Sequence, residues 1–308
     1  MKKFAALLLA VVLCLSVTLG MAESAKTYEF VFIVKSMQFS FMLSMIDGAN
    51  AAAALVPNIH IVCEGPETPY SVTEQIELVE QAITNHVDAI MITPADSTGI
   101  IPAIEAANAA GIPIATPNTK AYGGNVLTWV GVDNYQVGYQ LGKALCDALG
   151  GKGDIVLIEG TSGNSTSTER VDGYKDAFKE YPDINLLDSQ PADFNREKGM
   201  TVMENFLERY DHIDGVASVN KDMTMGALEA IKAVDRLEEM INVTFDVDND
   251  CLDAIDAGEI LITGAQEEKS QIANAIYACL LACNGFKVAP EQYIPMTLVT
   301  KDNTSLYR

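Results

Sequence analysis

Histidine, tryptophan and positive charge are all scarce in this chain. Its 308 residues include three His, one Trp and 20 Lys plus Arg against 42 Asp plus Glu, a formal net charge of −22. So large a negative excess works against nucleic acid or an anionic membrane as a partner. His60, His86 and His212 belong to no HExxH sequence and to no recognisable nucleophile arrangement, so hydrolysis has no evident base. Each is expected on the surface. Cysteine is present but unpatterned: of six, Cys14 lies near the start, and the other five, Cys63, Cys146, Cys251, Cys279 and Cys283, form no CxxC pair and cannot all pair among themselves. Cys279 and Cys283, four apart on one apolar helix face, are expected to act as small buried hydrophobes.

Only one long apolar run exists, and it opens the chain. Lys2 and Lys3 precede the run from Phe4 to Leu19, and Gly20-Met21-Ala22 supplies small residues before Glu23. That order predicts a secretory signal peptide over residues 1–22. Leu13 stands where a lipid-attachment signal needs a small residue before its cysteine, so anchoring through Cys14 is not expected. The exported chain would be periplasmic or lodged in the cell envelope. Residues 23–308 carry 18 basic and 42 acidic side chains, and no stretch among them approaches a membrane span. They are long for one core and comfortable for two.

Strand-like and helix-like segments alternate along this remainder. Tyr28–Val34, Ile59–Cys63, Ala89–Thr93 and Ile112–Thr116 read as short buried strands, and the alternation restarts after Trp129-Val130-Gly131-Val132. A second series follows at Ile155–Ile158, Asn185–Asp188, Val216–Val219, Ile241–Phe245 and Ile260–Thr263. Helical stretches lie between them; Ser71-Val72-Thr73-Glu74 reads as a capping box opening one whose apolar face is Val72, Ile76, Val79 and Ile83. Apolar strands alternating with amphipathic helices predict an α/β fold of parallel sheets covered on both faces. These are too many strands for one comfortable open sheet, which predicts two Rossmann-like lobes.

In such sheets ligands bind beyond the carboxyl ends of the strands. That rule selects Lys35–Met42, Pro94–Ser97, Pro117–Lys120, Gly160–Arg170, Asn220–Asp222, Asp246–Asp250 and Gln266–Lys269. Planar Asn, Asp, Gln and Arg groups there can bridge neighbouring hydroxyls, and Phe faces can cover a sugar's C–H surface. Other motifs fail. Gly160–Thr166 lacks the Gly-Lys-Ser/Thr ending of a phosphate loop. Gly150-Gly151-Lys152-Gly153 reads as a helix stop and turn. In Asp246–Asp250, an EF-hand-like start, Cys251 replaces the required Gly, and Asp248 and Asp250 read as capping or solvent-facing.

From Tyr28 to about Asp302 the chain resembles the ribose-binding branch of the type I periplasmic binding proteins. The segment from Ser189 to Arg196 is similar to that family's second-lobe aromatic loop. Asp47-Gly48-Ala49, Gly111-Ile112-Pro113, Glu169–Tyr174, Met225-Gly226-Ala227 and Phe245-Asp246 follow in the family's order. The resemblance implies a cleft between two lobes joined by three crossovers, with residues 23–132 plus 267–295 in the first lobe and 133–266 plus 296–308 in the second. Ligand contacts carried over by position fall on Lys35, Phe39, Phe41, Met42, Asn118, Thr119, Arg170, Phe194, Asn220, Asp246 and Gln266. Phe41 and Phe194 match the stacking aromatics, and Arg170, Asn220, Asp246 and Gln266 the hydroxyl-binding set. The implied function is non-enzymatic capture of a sugar or sugar-like ligand for an ABC importer by lobe closure. No cofactor and no metal are implied. The partners implied are the ligand, the permease and a chemoreceptor, with the protein a monomer.

Three departures cluster at one end of the expected pocket. Asn118-Thr119 stands where ribose binders have Asp-Arg, Lys35 and Phe39 where they have small or polar residues, and Met42 where they have a second Phe. Lys35 with Glu64-Gly65-Pro66 is also similar to autoinducer-binding and rhamnose-type relatives. The carried-over charges sum to +1, so either Glu64 reaches Lys35, or Lys35 points to solvent at the rim, or the ligand brings electron density. The last case predicts a sugar acid, keto-sugar or furanosyl signal. Truncating Arg170 or Asp246 is expected to weaken binding by about 2–4 kcal/mol and leave the fold intact. The competing readings are a sugar-responsive repressor, which would need a helix-turn-helix where the export signal lies, and a secreted enzyme, which would need a base and nucleophile.

Overall fold

The computed structural model describes residues 26–308, so the expected signal peptide and Cys14 lie outside the described residues. Two six-stranded sheets form. The first holds β1 (Tyr28–Ile33), β2 (Ile59–Glu64), β3 (Ala89–Ile92), β4 (Ile114–Pro117), β5 (Thr128–Gly131) and β11 (Glu291–Tyr293), in the order β11-β5-β4-β3-β1-β2 and parallel throughout. The second holds β6 (Lys152–Glu159), β7 (Asp183–Pro191), β8 (Gly215–Ser218), β9 (Ile241–Phe245), β10 (Ile262–Ala265) and β12 (Thr297–Val299). Its order is β12-β10-β9-β8-β6-β7, with only β12 antiparallel. The chain passes between sheets three times: after β5, after β10, and between β11 and β12.

Helices α1 (Ser40–Ala54), α2 (Val72–Thr84), α3 (Ile101–Ala109) and α9 (Glu268–Cys283) cover the first sheet. Alternation in β1 explains its unbroken apolar run. Phe30 and Phe32 pack with Met45, Ile272 and Ile276 on one face, while Val31 and Ile33 pack with Val79 and Ile104 on the other. Around the second sheet lie α4 (Asn134–Ala148), α5 (Ser165–Lys179), α6 (Arg196–Arg209), α7 (Lys221–Ala233) and α8 (Asn249–Ala257). All five described cysteines are free, with Cys279 buried and Cys283 partly so. All three histidines are exposed, and Asp248 caps α8 by accepting from the Cys251 N–H. No described helix is long and apolar enough to cross a membrane.

Several boundaries differ from the sequence reading for one reason. α5 and α7 begin earlier than their first apolar residues, because Asn164 and Asn220 accept hydrogen bonds from the N–H groups of Thr166 and Met223. The expected capping box forms by half. Ser71 Oγ accepts from Glu74 N at 3.3 Å, but the Glu74 carboxylate returns to Thr68 N, at 3.1 Å, because Ser71 N already donates to the Thr68 carbonyl. β11 and β12, three residues each, carried no apolar run to reveal them.

The short segments that carried the resemblance include places where helices touch through glycine. Gly48 lies against the Lys269 backbone, Gly173 against the Tyr135 carbonyl, and Gly226 against the Arg196 carbonyl. A Cβ on Gly226 would overlap that oxygen, which is backbone and cannot swing aside. Gly226→Ala should therefore force α6 and α7 apart and destabilise the second lobe by about 1–3 kcal/mol, the usual range for overpacking. Urea unfolding would read this as a lower midpoint at unchanged slope; an unchanged midpoint would mean the helices do not approach so closely.

Candidate functional site

Between the two sheets, at the carboxyl ends of their strands, lies a cavity of about 370 Å³. Ten of the eleven expected contact residues line it: Lys35, Phe39, Phe41, Met42, Asn118, Arg170, Phe194, Asn220, Asp246 and Gln266. Thr119 stands behind the wall and accepts a hydrogen bond from Lys35 Nζ at 2.9 Å. Tyr70, Thr166 and Asp222 complete the lining. Tyr70 closes the long loop after β2, far enough from the strand end that its position in the sequence does not point to the cleft. It extends an aromatic row across the cleft, stacking on Phe194 at 6.0 Å and packing at a 44° tilt against Phe39 at 5.5 Å between centroids.

The backbone here is held in unusual conformations. Tyr70, Asn118, Phe194 and Asp246 have positive φ, four of the seven such non-glycine residues described. Side chains other than Gly, Asn and Asp enter this region at an energetic cost, and such strain concentrates at binding sites. Each of the four follows a strand or closes a loop, so the turn that leaves the sheet also aims the side chain into the cleft.

The charged groups are buried. Lys35 is 4% exposed, Arg170 2% and Asp246 9%. Lys35 therefore does not reach solvent at the rim, and Glu64 does not pair with it. Its Nζ donates to Asn118 Oδ1 at 3.3 Å and to Thr119 Oγ1, both neutral. The nearby loops fold over the long aliphatic stem and leave the ammonium no exit. Burial first, and then the Arg170 charge, lower its pKa to about 7, with Asp246 opposing. Burial raises the Asp246 carboxyl above its ordinary range, against the pull of Arg170.

A one-way chain of hydrogen bonds joins these opposite charges. Lys35 Nζ donates to Asn118 Oδ1, Asn118 Nδ2 to Gln271 Oε1 at 3.4 Å, Gln271 Nε2 to Gln266 Oε1 at 3.5 Å, and Gln266 Nε2 to Asp246 Oδ1 at 2.6 Å. Aligned dipoles of this kind reinforce one another and fix which amide edge faces the cavity. Gln271, fully buried on α9, escaped the sequence reading because it lies inside a helix rather than at a strand end. Asn220 spends its amide on structure, capping α7 with Oδ1 and donating Nδ2 to Asp246 Oδ2 at 3.3 Å. Arg170 is fixed by Asn134 Oδ1 at 2.9 Å and the Val219 carbonyl at 2.7 Å, over the Phe245 ring, and its buried Nη2 has no partner.

The loop rejected as a phosphate cradle docks on the other lobe. Asn164 Nδ2 donates to the Pro94 and Ala95 carbonyls, each at 3.2 Å, Ser165 N donates to Ser97 Oγ at 3.0 Å, and Lys120 N donates to Ser165 Oγ at 2.9 Å. Elsewhere Lys221, ion-paired with Asp222 and Asp248, reaches Ser40 Oγ at 3.3 Å. These bonds hold the lobes together over the cavity. Among the described residues no cluster of His, Cys, Asp or Glu could hold a metal ion.

Fold and site define a two-lobed cleft binder. The chain belongs to the periplasmic binding protein domain family, which it matches over residues 30–287. It is 30% identical to the ribose import binding protein of Haemophilus influenzae, over 87% of this chain and 88% of that one. A solved ABC transporter solute binding protein from Bacillus halodurans with bound myo-inositol superposes with a TM-score of 0.87 at 28% identity, covering 93% of this chain and 99% of that one. Another from Actinobacillus succinogenes, with bound D-allose, gives 0.86 at 29% identity over 91% and 100%. Members of this family bind substrates without converting them, so the chain is a binding protein and not an enzyme. Membership also implies export to the periplasm.

Proposed function

We propose that this protein captures a sugar or sugar-like molecule between its lobes and presents it, unchanged, to the permease of an ABC importer. The observation that carries the reading is the cavity itself, where aromatic faces and planar hydrogen-bonding groups converge from both lobes. Phe41 and Phe194 cover the C–H faces, while Arg170, Asp246 and Gln266 take the hydroxyls. Sugars and a cyclic polyol in the relatives agree with this reading. The protein acts as a monomer in the periplasm. A chemoreceptor that reads the closed form fits the same scheme.

Only a closed form touches the ligand from both sides, so the ligand should shift the lobes toward closure. Small-angle scattering on the mature protein, screened against pentoses, hexoses, polyols and sugar acids, should show a smaller radius of gyration with the ligand that raises the melting temperature. The ligand should be recovered intact. Chemical turnover, or tight binding with no change in radius, would overturn the proposal.

A further inference from the structure

We infer that the ligand is an acidic sugar, whose carboxylate pairs with Lys35 and whose oxygens occupy the free Nη2 of Arg170. The inference rests on the sugar-binding reading and names the class within it. Two buried cations face the cavity. Of its two carboxylates, Asp222 is engaged by Lys221 at 2.9 Å, and Asp246 already accepts from Gln266 and Asn220. Lys35 has only neutral acceptors, and Arg170 Nη2 has none. With Asp222 claimed by Lys221, two cations face one remaining carboxylate, so the site has excess positive charge and unspent donors beside a carboxylate that keeps spare lone pairs.

A neutral polyol answers half of this. Its hydroxyls can donate to Asp246, but they leave the Lys35 charge buried and unbalanced. An acceptor-only carboxylate next to Lys35 supplies both the charge and the lone pairs, with hydroxyls left for Asp246. The polarity of the neighbourhood runs the same way. The adjoining cavity, about 490 Å³, is lined by Asp222, Asp248 and Glu268 with Lys221, which disfavours the acid end there.

Proton release separates the two kinds of ligand. The titratable and charged groups facing Lys35 are Arg170 from α5, Asp246 after β9, Asp222 from α7 and Tyr70 from the loop after β2. Closing on a neutral sugar buries Lys35 without a counter-charge and drives off its proton. Closing on an acid leaves that proton in place.

Calorimetry of the mature protein at pH 8, in two buffers of different ionisation enthalpy, tests this. The probes are D-ribonate, D-gluconate, D-glucuronate and D-galacturonate against D-ribose, D-allose and myo-inositol. At least one acid should bind about tenfold or more tightly than every neutral probe and release no proton, while any neutral probe that binds should release close to one. Lys35→Gln should weaken the acid about 50-fold or more and abolish proton release with neutral probes. A neutral sugar binding more tightly than every acid overturns the inference and leaves the sugar reading standing; binding of neither class overturns both.

Discussion

Asp246→Asn should weaken ligand binding by about 2–4 kcal/mol, roughly 30- to 1,000-fold, with the melting temperature of the empty protein nearly unchanged. The carboxylate stands at the end of β9 with φ 73°, a backbone state that asparagine also tolerates, so the substitution removes charge without moving the chain. Its oxygens accept from Gln266 and Asn220 and keep lone pairs for ligand hydroxyls inside a water-poor cleft. An amide there accepts at one end only, so either Gln266 Nε2 or Asn220 Nδ2 is left facing another donor. Asp246→Ala should show the same loss plus the penalty of a left-handed alanine. Titration calorimetry decides: parent-like affinity would mean the hydroxyls bind elsewhere.

Arg170→Ala should match that binding loss but also destabilise the second lobe. The expectation of an intact fold does not survive the geometry. Truncation leaves Asn134 Oδ1 and the Val219 carbonyl buried without a donor, at about 1–3 kcal/mol each, and uncovers the Phe245 ring.

The other large effect concerns the empty protein. Lys35→Met should close the cleft without ligand. In the closed form the ammonium is buried beside Arg170 and its pKa falls to about 7; in an open cleft it regains water and an ordinary value near 10.4. Below pH 7 it is charged in both forms, so closing carries the full penalty, about 3–5 kcal/mol. Between pH 7 and about 10.4 the closed form has released its proton while the open form keeps it, so the penalty shrinks as pH rises, and above that range it vanishes. The wild-type radius of gyration should therefore fall as pH rises from 7 to 10, while that of Lys35→Met is small throughout. Equal radii for both proteins at pH 7 would refute the idea that this charge holds the empty lobes apart.

What the sequence disclosed follows from the range of each interaction. Helix periodicity and the position of residues just beyond strand ends are local or nearly so, and they suffice to single out Asn118, Asp246 and Gln266. The state of Lys35 is not local. Its burial depends on Asn118, Thr119 and the opposing Phe194, whose ring centre lies 5.5 Å from Nζ, all distant in the chain. Tyr70 and Gln271 are hidden for the same reason: a residue late in a loop reaches the cleft, and one inside a helix bridges Asn118 and Gln266, only through contacts distant in the chain. The half-formed capping box is the reverse case. Its sequence was complete, but the Thr68 turn claimed one of its bonds first.

The third passage of the chain between the sheets bears on how the molecule is made. The first lobe takes α9 and β11 from the far end of the sequence, and Tyr28 hydrogen-bonds Asn284 across 256 positions. Phe30, Met45, Ile272 and Cys279 share one core. A ribosome that has finished the first five strands has not yet supplied the helix that seals them, so the lobe begun first cannot be completed first. Contacts this remote in sequence slow folding, because a long loop must close before they form. The second lobe, most of it continuous from α4 to β10, can settle while the first waits with an apolar flank uncovered.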